Sequence, residues 1–146
     1  MEEITAVDLE KAKAELFDNN YTCVLCRGES VHTSRLRGVK PLVVWYVGEM
    51  DFTGFSAADK VVGKATAFLY VLLGVRAVYA AVISRSALQV LTSSGIDAEY
   101  GSLVENIINR TGDGICPFEE AVLNIDDAND AYAAVREKME AMKIDL

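Results

Sequence analysis

The stretch SAADKVVGKATA, residues 56–67, decides how the middle of this chain folds. Ser56 is followed three residues later by Asp59, a spacing typical of a capping box, in which two side chains close the first turn of a helix. An acidic residue in that turn also suits the positive end of the helix dipole. We therefore predict a helix that begins at Ser56 and runs to about Leu73, with Gly74 as its C-terminal cap.

Two lysines in this stretch are unusual for the start of a helix. On the predicted helix Lys60 and Lys64 lie four residues apart and share one face, at the end of the dipole that disfavours cations. This placement suggests a binding or catalytic role. The structural alternative is that each lysine lays its aliphatic stem on apolar surface and keeps its ammonium group in water. Gly63 would cost about 1 kcal/mol relative to alanine inside a helix, which indicates a close approach by another element.

The composition indicates one globular domain. The chain has 146 residues, of which 51% are hydrophobic, and a net charge of −8, so residues 1–146 can bury a single core. The negative charge argues against a nucleic-acid partner, because binding to a polyanion requires a positive surface. The longest apolar run, residues 65–75, is too short to cross a bilayer, and the N-terminus does not resemble a signal peptide. We expect no membrane partner and a cytoplasmic location.

The three cysteines, Cys23, Cys26 and Cys116, are predicted to be free thiols, because their number is odd and no export signal is recognised. Cys23 and Cys26 form a CxxC pair, but they lie in a predicted strand, residues 22–27. Residues three apart in a strand point to opposite faces of the sheet. The chain has no second CxxC pair and one histidine, His32. We therefore expect no metal site and no cofactor.

The apolar pattern predicts helices and strands in alternation. An amphipathic helix at residues 7–17 and a hairpin at 22–34 come first, and later strands are predicted at 75–83 and 98–103. A helix capped by Ser84 or Ser86 separates those two strands. Residues 42–47 fit either a strand or a short helix, and residues 104–108 fit a helical turn. Strands separated by helices predict a three-layer α/β/α sandwich with a mixed sheet.

A second candidate site is the sequence Cys116-Pro117-Phe118-Glu119. Proline is favoured at the first position of a helix, which places Cys116 at the N-cap and Glu119 in the first turn. A thiolate at a helix N-terminus is stabilised by the free N–H groups there, so Cys116 is the best nucleophile candidate of the three cysteines. The structural alternative is that Cys116 is a small residue tolerated at a cap and Glu119 an ordinary first-turn acid.

The segments DKVVGKA, residues 59–65, and CPFE, residues 116–119, resemble an uncharacterised prokaryotic family of the cytidine-deaminase-like superfamily. The similarity covers residues 7–139 and implies a deaminase-like sandwich, a helix at residues 42–47 and a homo-oligomer. The motifs of zinc deaminases are missing. The predicted helix start carries Asp59 and two lysines in place of a zinc ligand and a glutamate, and residues 84–88 contain no cysteine. Zinc-dependent deamination is therefore not expected.

Three hypotheses of function follow. In the first, Asp59, Lys60, Lys64, Cys116 and Glu119 form one non-zinc polar site for a small anionic or nucleotide-like molecule, with Asp59 as acid or base; whether the site is catalytic stays open. In the second, the chain is an inactive module that binds a metabolite or a protein. In the third, it is a thiol-dependent enzyme that uses Cys116. The sequence does not tell whether the two motifs meet in space.

Overall fold

The fold alternates helices and strands along the chain. A computed structural model describes residues 2–146, with side chains from residue 6 onward. The elements, in chain order, are α1 (Glu2–Asp18), β1 (Cys23–Arg27), β2 (Ser30–Ser34), α2 (Lys40–Val47), β3 (Ser56–Val62), α3 (Lys64–Leu73), β4 (Ala77–Ser84), α4 (Arg85–Ser93), β5 (Asp97–Val104), α5 (Pro117–Ala121) and α6 (Ala128–Ala141).

The strands form one mixed sheet in the order β2-β1-β3-β4-β5. Strand β1 pairs antiparallel with both β2 and β3, whereas β3, β4 and β5 run parallel to one another. The parallel strands are connected through α3 and α4, as parallel pairing requires. Strand β3 is therefore the position at which the sheet changes from antiparallel to parallel pairing. The predicted mixed sheet is confirmed.

Helices cover both faces of the sheet and give three layers. On one face α1 packs Ala12 and Leu16 against Val24 and Cys26 of β1 and against Ala58 of β3. The opposite face carries the larger core, to which α2, α3, α4, α5 and α6 all contribute. The predicted α/β/α sandwich is confirmed.

The CxxC pair also lies as predicted. Cys23 is buried in the larger core, whereas Cys26 is buried beneath α1 on the opposite face. Both thiols are free, as is that of Cys116. The pair is therefore split across the sheet, and its two sulfur atoms do not form a common site.

The prediction of a helix from Ser56 is wrong over its first eight residues. Residues 56–62 form β3, and α3 begins only at Lys64, after the N-cap Gly63. The physical reason is that Ala57 and Ala58 are fully buried on opposite faces of the central strand, where small side chains let helices pack closely on both sides. Pairing with two neighbouring strands outweighs the helix propensity of alanine.

The same correction removes two features of the predicted helix. Ser56 and Asp59 do not form a capping box, because both lie in β3. Lys60 and Lys64 do not share a helix face, because Lys60 lies in the strand and Lys64 is the first residue of α3. Neither lysine therefore lies where the sequence pattern placed it, and the two ammonium groups make different contacts.

Predictions that depended on local signals hold at several element ends. Gly74 caps α3 with a φ of 82°, and the Ser84 hydroxyl accepts a hydrogen bond from Ala87 N–H at the start of α4. Residues 42–47, which local signals left open between strand and helix, are helical, as the family resemblance implied. The helical turn predicted at residues 104–108 is wrong. Ile108 instead pairs with Ile115 in an antiparallel bridge.

Side-chain hydrogen bonds explain why the segment after β5 forms a loop. The Asn109 side-chain oxygen accepts hydrogen bonds from the Gly112 and Asp113 N–H groups and closes a tight turn. Asparagine competes in this way with helical hydrogen bonding.

Over residues 2–146, none of the helices combines the length and the apolar character that crossing a membrane demands.

The small side chain of Ala58 is expected to be essential for packing α1 on the sheet. Leucine at this position would force a larger side chain into a filled interface, so Ala58→Leu should lower the free energy of unfolding by about 1–3 kcal/mol. Val61→Ile, at a position of the same strand that is 45% exposed, should change it by less than about 0.5 kcal/mol. Urea unfolding of the two variants measures the difference, and equal losses would contradict the packing argument.

Candidate functional site

A cavity of about 820 Å³ lies at the carboxyl end of β3. Its walls come from the ends of β3 and α6, the starts of α2, α3 and α5, and the loop at residues 107–111. We call it the β3 cavity. Its volume falls in the range of small-molecule sites. Ligands of α/β proteins commonly bind beyond the carboxyl ends of strands where the chain order of the sheet reverses.

Four of the five site residues predicted from the sequence line the β3 cavity: Asp59, Lys60, Cys116 and Glu119. The two motifs therefore meet in space. Lys64 is the exception. Its side chain is buried, and its ammonium group donates a hydrogen bond to the Leu123 carbonyl oxygen at 3.1 Å, which ties the start of α3 to the chain after α5.

The Glu119 carboxylate joins three separate segments. One oxygen, Oε1, accepts hydrogen bonds from Lys64 N–H at 2.6 Å and from the Ser84 hydroxyl at 3.2 Å. The other, Oε2, accepts from Ile107 N–H at 2.8 Å. The N-cap residue of α3, Gly63, has no side chain that could accept these bonds, so Glu119 caps α3 from another helix. The position of a carboxylate at the positive end of α3 is also electrostatically favourable.

Gly63 is required by the close approach of this carboxylate. A Cβ atom on Gly63 would lie 3.1 Å from Glu119 Oε1 and 3.2 Å from the Ile107 side chain. The close approach predicted at Gly63 is therefore confirmed, although the residue precedes the helix rather than lying inside it. The sequence could not predict the contact with Glu119, because the two residues lie far apart along the chain.

Asp59 lies at the end of a buried hydrogen-bonded chain. Its Oδ2 accepts a hydrogen bond from the Tyr70 hydroxyl at 2.6 Å, and the Tyr70 oxygen lies 3.1 Å from Cys23 Sγ. Its Oδ1 accepts from Val61 N–H at 3.2 Å. Burial raises the pKa of Asp59 to about 7, although the hydrogen bonds from Tyr70 and Val61 act in the opposite direction. Burial also raises the pKa of Tyr70 and of Cys23, so both keep their protons at neutral pH.

Cationic side chains line the β3 cavity. They are Arg37, Lys40, Lys60 and Arg110, which we call the cationic rim. The Lys60 ammonium group donates to the Asn20 side-chain oxygen at 3.0 Å. Within the described residues, no carboxylate lies within 4 Å of any of the four cations. Sequence reasoning missed Lys40 and Arg110, because they come from segments about seventy residues apart and carry no motif.

Cys116 is the N-cap residue of α5 and is half-buried. Its N–H donates to the Ile107 carbonyl oxygen at 2.8 Å. In the part of the chain that the structure describes, no base forms a hydrogen bond with its sulfur. His32 lies on β2 and packs against Trp45, Phe52 and Phe55, outside the cavity lining.

The donor set at the cavity does not fit a zinc ion. Structural and catalytic zinc sites use three or four histidine, cysteine or acidic ligands held close together. Residues 6–146, whose side chains the structure describes, contain no group of three or more such side chains arranged to hold a metal. The first residues of α3 are Lys64, Ala65 and Thr66, and α4 begins with Arg85 and Ser86, none of which offers a thiolate or an imidazole.

Comparison with known proteins identifies a family and several similar solved structures, two of which are described below. Residues 11–139 match the family TM1506, described as a domain of unknown function, DUF1893. The crystal structure of a DUF1893 family protein, TM1506, from Thermotoga maritima is 27% identical over 90% of each chain, with a TM-score of 0.84. The apo crystal structure of dCMP deaminase from the cyanophage S-TIM5 is 16% identical over 67% of this chain and 97% of that chain, with a TM-score of 0.43. At that score the likeness carries no implication for the site. No curated protein matches.

The buried carboxylate of Glu119 is expected to be a large contributor to stability. Glutamine would place an amide group against one of the bonded donors and leave that donor without an acceptor. Glu119→Gln should therefore lower the free energy of unfolding by about 2–3 kcal/mol, measured by urea unfolding. The neighbouring Glu120 is exposed, and Glu120→Gln should change it by less than about 0.5 kcal/mol. The same small change in both variants would show that Glu119 is not a cap.

Asp59 is expected to make the protein less stable as the pH rises from about 4 to about 7. Above its ordinary pKa of 3.8 the carboxyl group is ionised in the unfolded chain, whereas the folded protein keeps the proton up to about pH 7. Unfolding therefore releases a proton in this window, and the free energy of unfolding falls by up to about 1.4 kcal/mol per pH unit. Above pH 7 this contribution becomes constant.

The variant Asp59→Asn isolates this effect, because asparagine does not titrate and all other carboxylates are unchanged. Urea unfolding at several pH values between 4.5 and 8 gives the free energy of each protein. The stability of the wild type relative to Asp59→Asn should decrease across the window. A difference that stays constant or increases with pH would show that Asp59 is ionised in the folded protein throughout.

Proposed function

We propose that this chain, which belongs to the DUF1893 family of unknown function, binds a small anionic or nucleotide-like molecule in the β3 cavity. The observation that carries the proposal is the cationic rim. Four cationic side chains surround one cavity of a protein whose net charge is −8, and within the described residues they have no carboxylate partner.

The two acidic residues of the cavity do not cancel this charge. The Glu119 carboxylate accepts hydrogen bonds from Lys64 N–H, the Ser84 hydroxyl and Ile107 N–H, and in the described part of the chain it forms no ion pair with the rim. Burial raises the pKa of Asp59 to about 7, so this group is protonated in a large fraction of molecules at neutral pH. The rim therefore presents an excess of positive charge, which favours an anion such as a phosphate group.

The remaining walls are suited to an apolar body attached to the anion. Ile107, Phe118, Met139, Met142 and Ile144 line the cavity. Small-molecule sites commonly combine a mostly apolar surface with a few placed polar groups. A molecule that carries a ring and an anionic group, as a nucleotide does, would use both parts of the lining.

The other hypotheses draw less support from the geometry. A catalytic form of the first hypothesis could use a lysine as nucleophile, but Lys64 does not suit this role. Its side chain is buried, and its ammonium group is bonded to the Leu123 carbonyl oxygen, away from the cavity. Thiol chemistry at Cys116 would need a base to take up the proton, and among the described residues none is bonded to its sulfur. Binding without turnover uses the same cavity and the same rim, so it is the simplest form of the proposal.

The proposal predicts that anions bind through the rim. Isothermal titration calorimetry with inorganic phosphate, phenyl phosphate and AMP should detect binding to the wild type. The double variant Arg37→Gln, Lys40→Gln should bind the same probes at least about tenfold more weakly, because charge-assisted hydrogen bonds are lost. Raising the ionic strength should also weaken binding to the wild type, since the rim lies partly in solvent.

The matched control is Arg76→Gln, at an exposed arginine outside the cavity lining. This variant removes one positive charge, where the double variant removes two, and should bind the probes as the wild type does. Two results would overturn the proposal: absence of binding by all three probes, or an equal loss of affinity in the control and the double variant.

A further inference from the structure

One buried group in the β3 cavity is not explained by the binding of an anion. Asp59 is 8% exposed and lines the cavity, yet no cation pairs with it. The two nearby lysines in the sequence do not pair with it, because Lys60 donates to Asn20 and Lys64 donates to Leu123. Within the described residues, the carboxyl group therefore has hydrogen-bond donors around it but no counter-charge.

The Asp59 carboxyl group accepts hydrogen bonds from the groups around it. Tyr70 donates its hydroxyl to Oδ2, and Val61 donates its N–H to Oδ1. The Lys60 N–H and the Cys23 thiol are two further donors to the carboxyl group. None of these four donor groups carries a positive charge, so the buried carboxyl group has hydrogen bonds but no charge compensation. Because Asp59 belongs to the cavity lining, a molecule in the cavity could supply the missing positive charge. The group that suits a buried carboxyl group best is an amine, which brings both an N–H donor and a positive charge.

We propose that the ligand of the β3 cavity is zwitterionic, with an anionic group at the cationic rim and an amine at Asp59. The inference rests on the proposed function, because it assumes that an anion occupies the rim. Within the described residues, no rim cation lies within 4 Å of the Asp59 carboxyl group, so Asp59 is free of the rim and can pair with an amine of the ligand. The apolar walls, among them Ile107 and Phe118, would contact the body that joins the two charged ends of the molecule.

Tyr70 has a positioning role in this proposal. It is fully buried in α3, does not line the cavity, and reaches Asp59 with a 2.6 Å hydrogen bond that fixes the carboxyl group of β3. Its hydroxyl also lies 3.1 Å from Cys23 Sγ on β1, so its own orientation is fixed by a second contact. Loss of the Tyr70 hydroxyl should therefore weaken recognition of the amine without changing the rim.

A matched pair of probes tests the inference. 4-(Aminomethyl)phenyl phosphate and 4-ethylphenyl phosphate have nearly the same shape and differ in that the first carries an ammonium group where the second has a methyl group. Calorimetry on the wild type at pH 7.5 should give at least about tenfold tighter binding of the aminomethyl probe, because a charge-assisted hydrogen bond forms in a partly desolvated site. In Asp59→Asn this preference should fall to about one, with the affinity for the ethyl probe unchanged.

Tyr70→Phe keeps the test valid if Asp59→Asn does not fold. This variant should lose about threefold of the preference and bind the ethyl probe as the wild type does. Equal affinity of the wild type for both probes would overturn the zwitterion inference and leave the proposed function standing. A preference that persists in both variants would also overturn it, because another group would then recognise the amine. If neither probe binds, the proposed function and this inference both fail.

Discussion

The Glu119 carboxylate is the contact on which the arrangement of the site depends. A helix leaves its first N–H groups without partners, and α3 begins directly after a glycine that has no side chain to accept them. Glu119 meets this requirement from α5 and at the same time accepts hydrogen bonds from Ser84 and from the loop at Ile107. One buried acidic group therefore fixes the relative positions of four segments around the β3 cavity.

The cavity itself follows from the position of β3 in the sheet. This strand has an antiparallel neighbour on one side and a parallel neighbour on the other. The chain must therefore leave its carboxyl end through a helix on one side, while the neighbouring strand β1 begins beside it and brings Cys23 to the same region. The space at this end is closed by the helix starts and by the loop after β5. Polar groups from distant parts of the chain consequently come together there.

The sequence predicted those features that depend on local chemistry. The hairpin of β1 and β2, the caps Ser84 and Gly74 and the separation of Cys23 from Cys26 all follow from residues within a few positions of one another. The central strand was missed, because residues 56–62 include alanine, aspartate and lysine, which favour helix or are rare in strands. Their conformation is set by pairing with β1 and β4 and by packing beneath α1, and such tertiary contacts leave no local pattern.

The candidate site could also be predicted only in part, where it depends on local sequence and not on tertiary contacts. The sequence drew attention to Asp59, Lys60, Cys116 and Glu119, all of which line the cavity, but assigned the first two to the wrong element. It could not predict that Tyr70 contacts Asp59, because that contact crosses from a helix to a strand. Nor could it predict that Lys64 is turned away from the cavity, since this depends on a carbonyl oxygen of residue 123 that lies far along the chain.

The distance along the chain between α3 and its cap has a consequence for synthesis on the ribosome. Glu119 lies 55 residues after Lys64, whose N–H it accepts. During synthesis, the elements that leave the ribosome before this acceptor exists include α1, β1, β2, β3 and α3. At about 5–20 residues per second, the delay lasts several seconds. During that time the first turn of α3 has only water to bond with. The nascent protein can therefore pair its central strands early, but it completes the wall of the cavity only when nearly the whole chain has emerged.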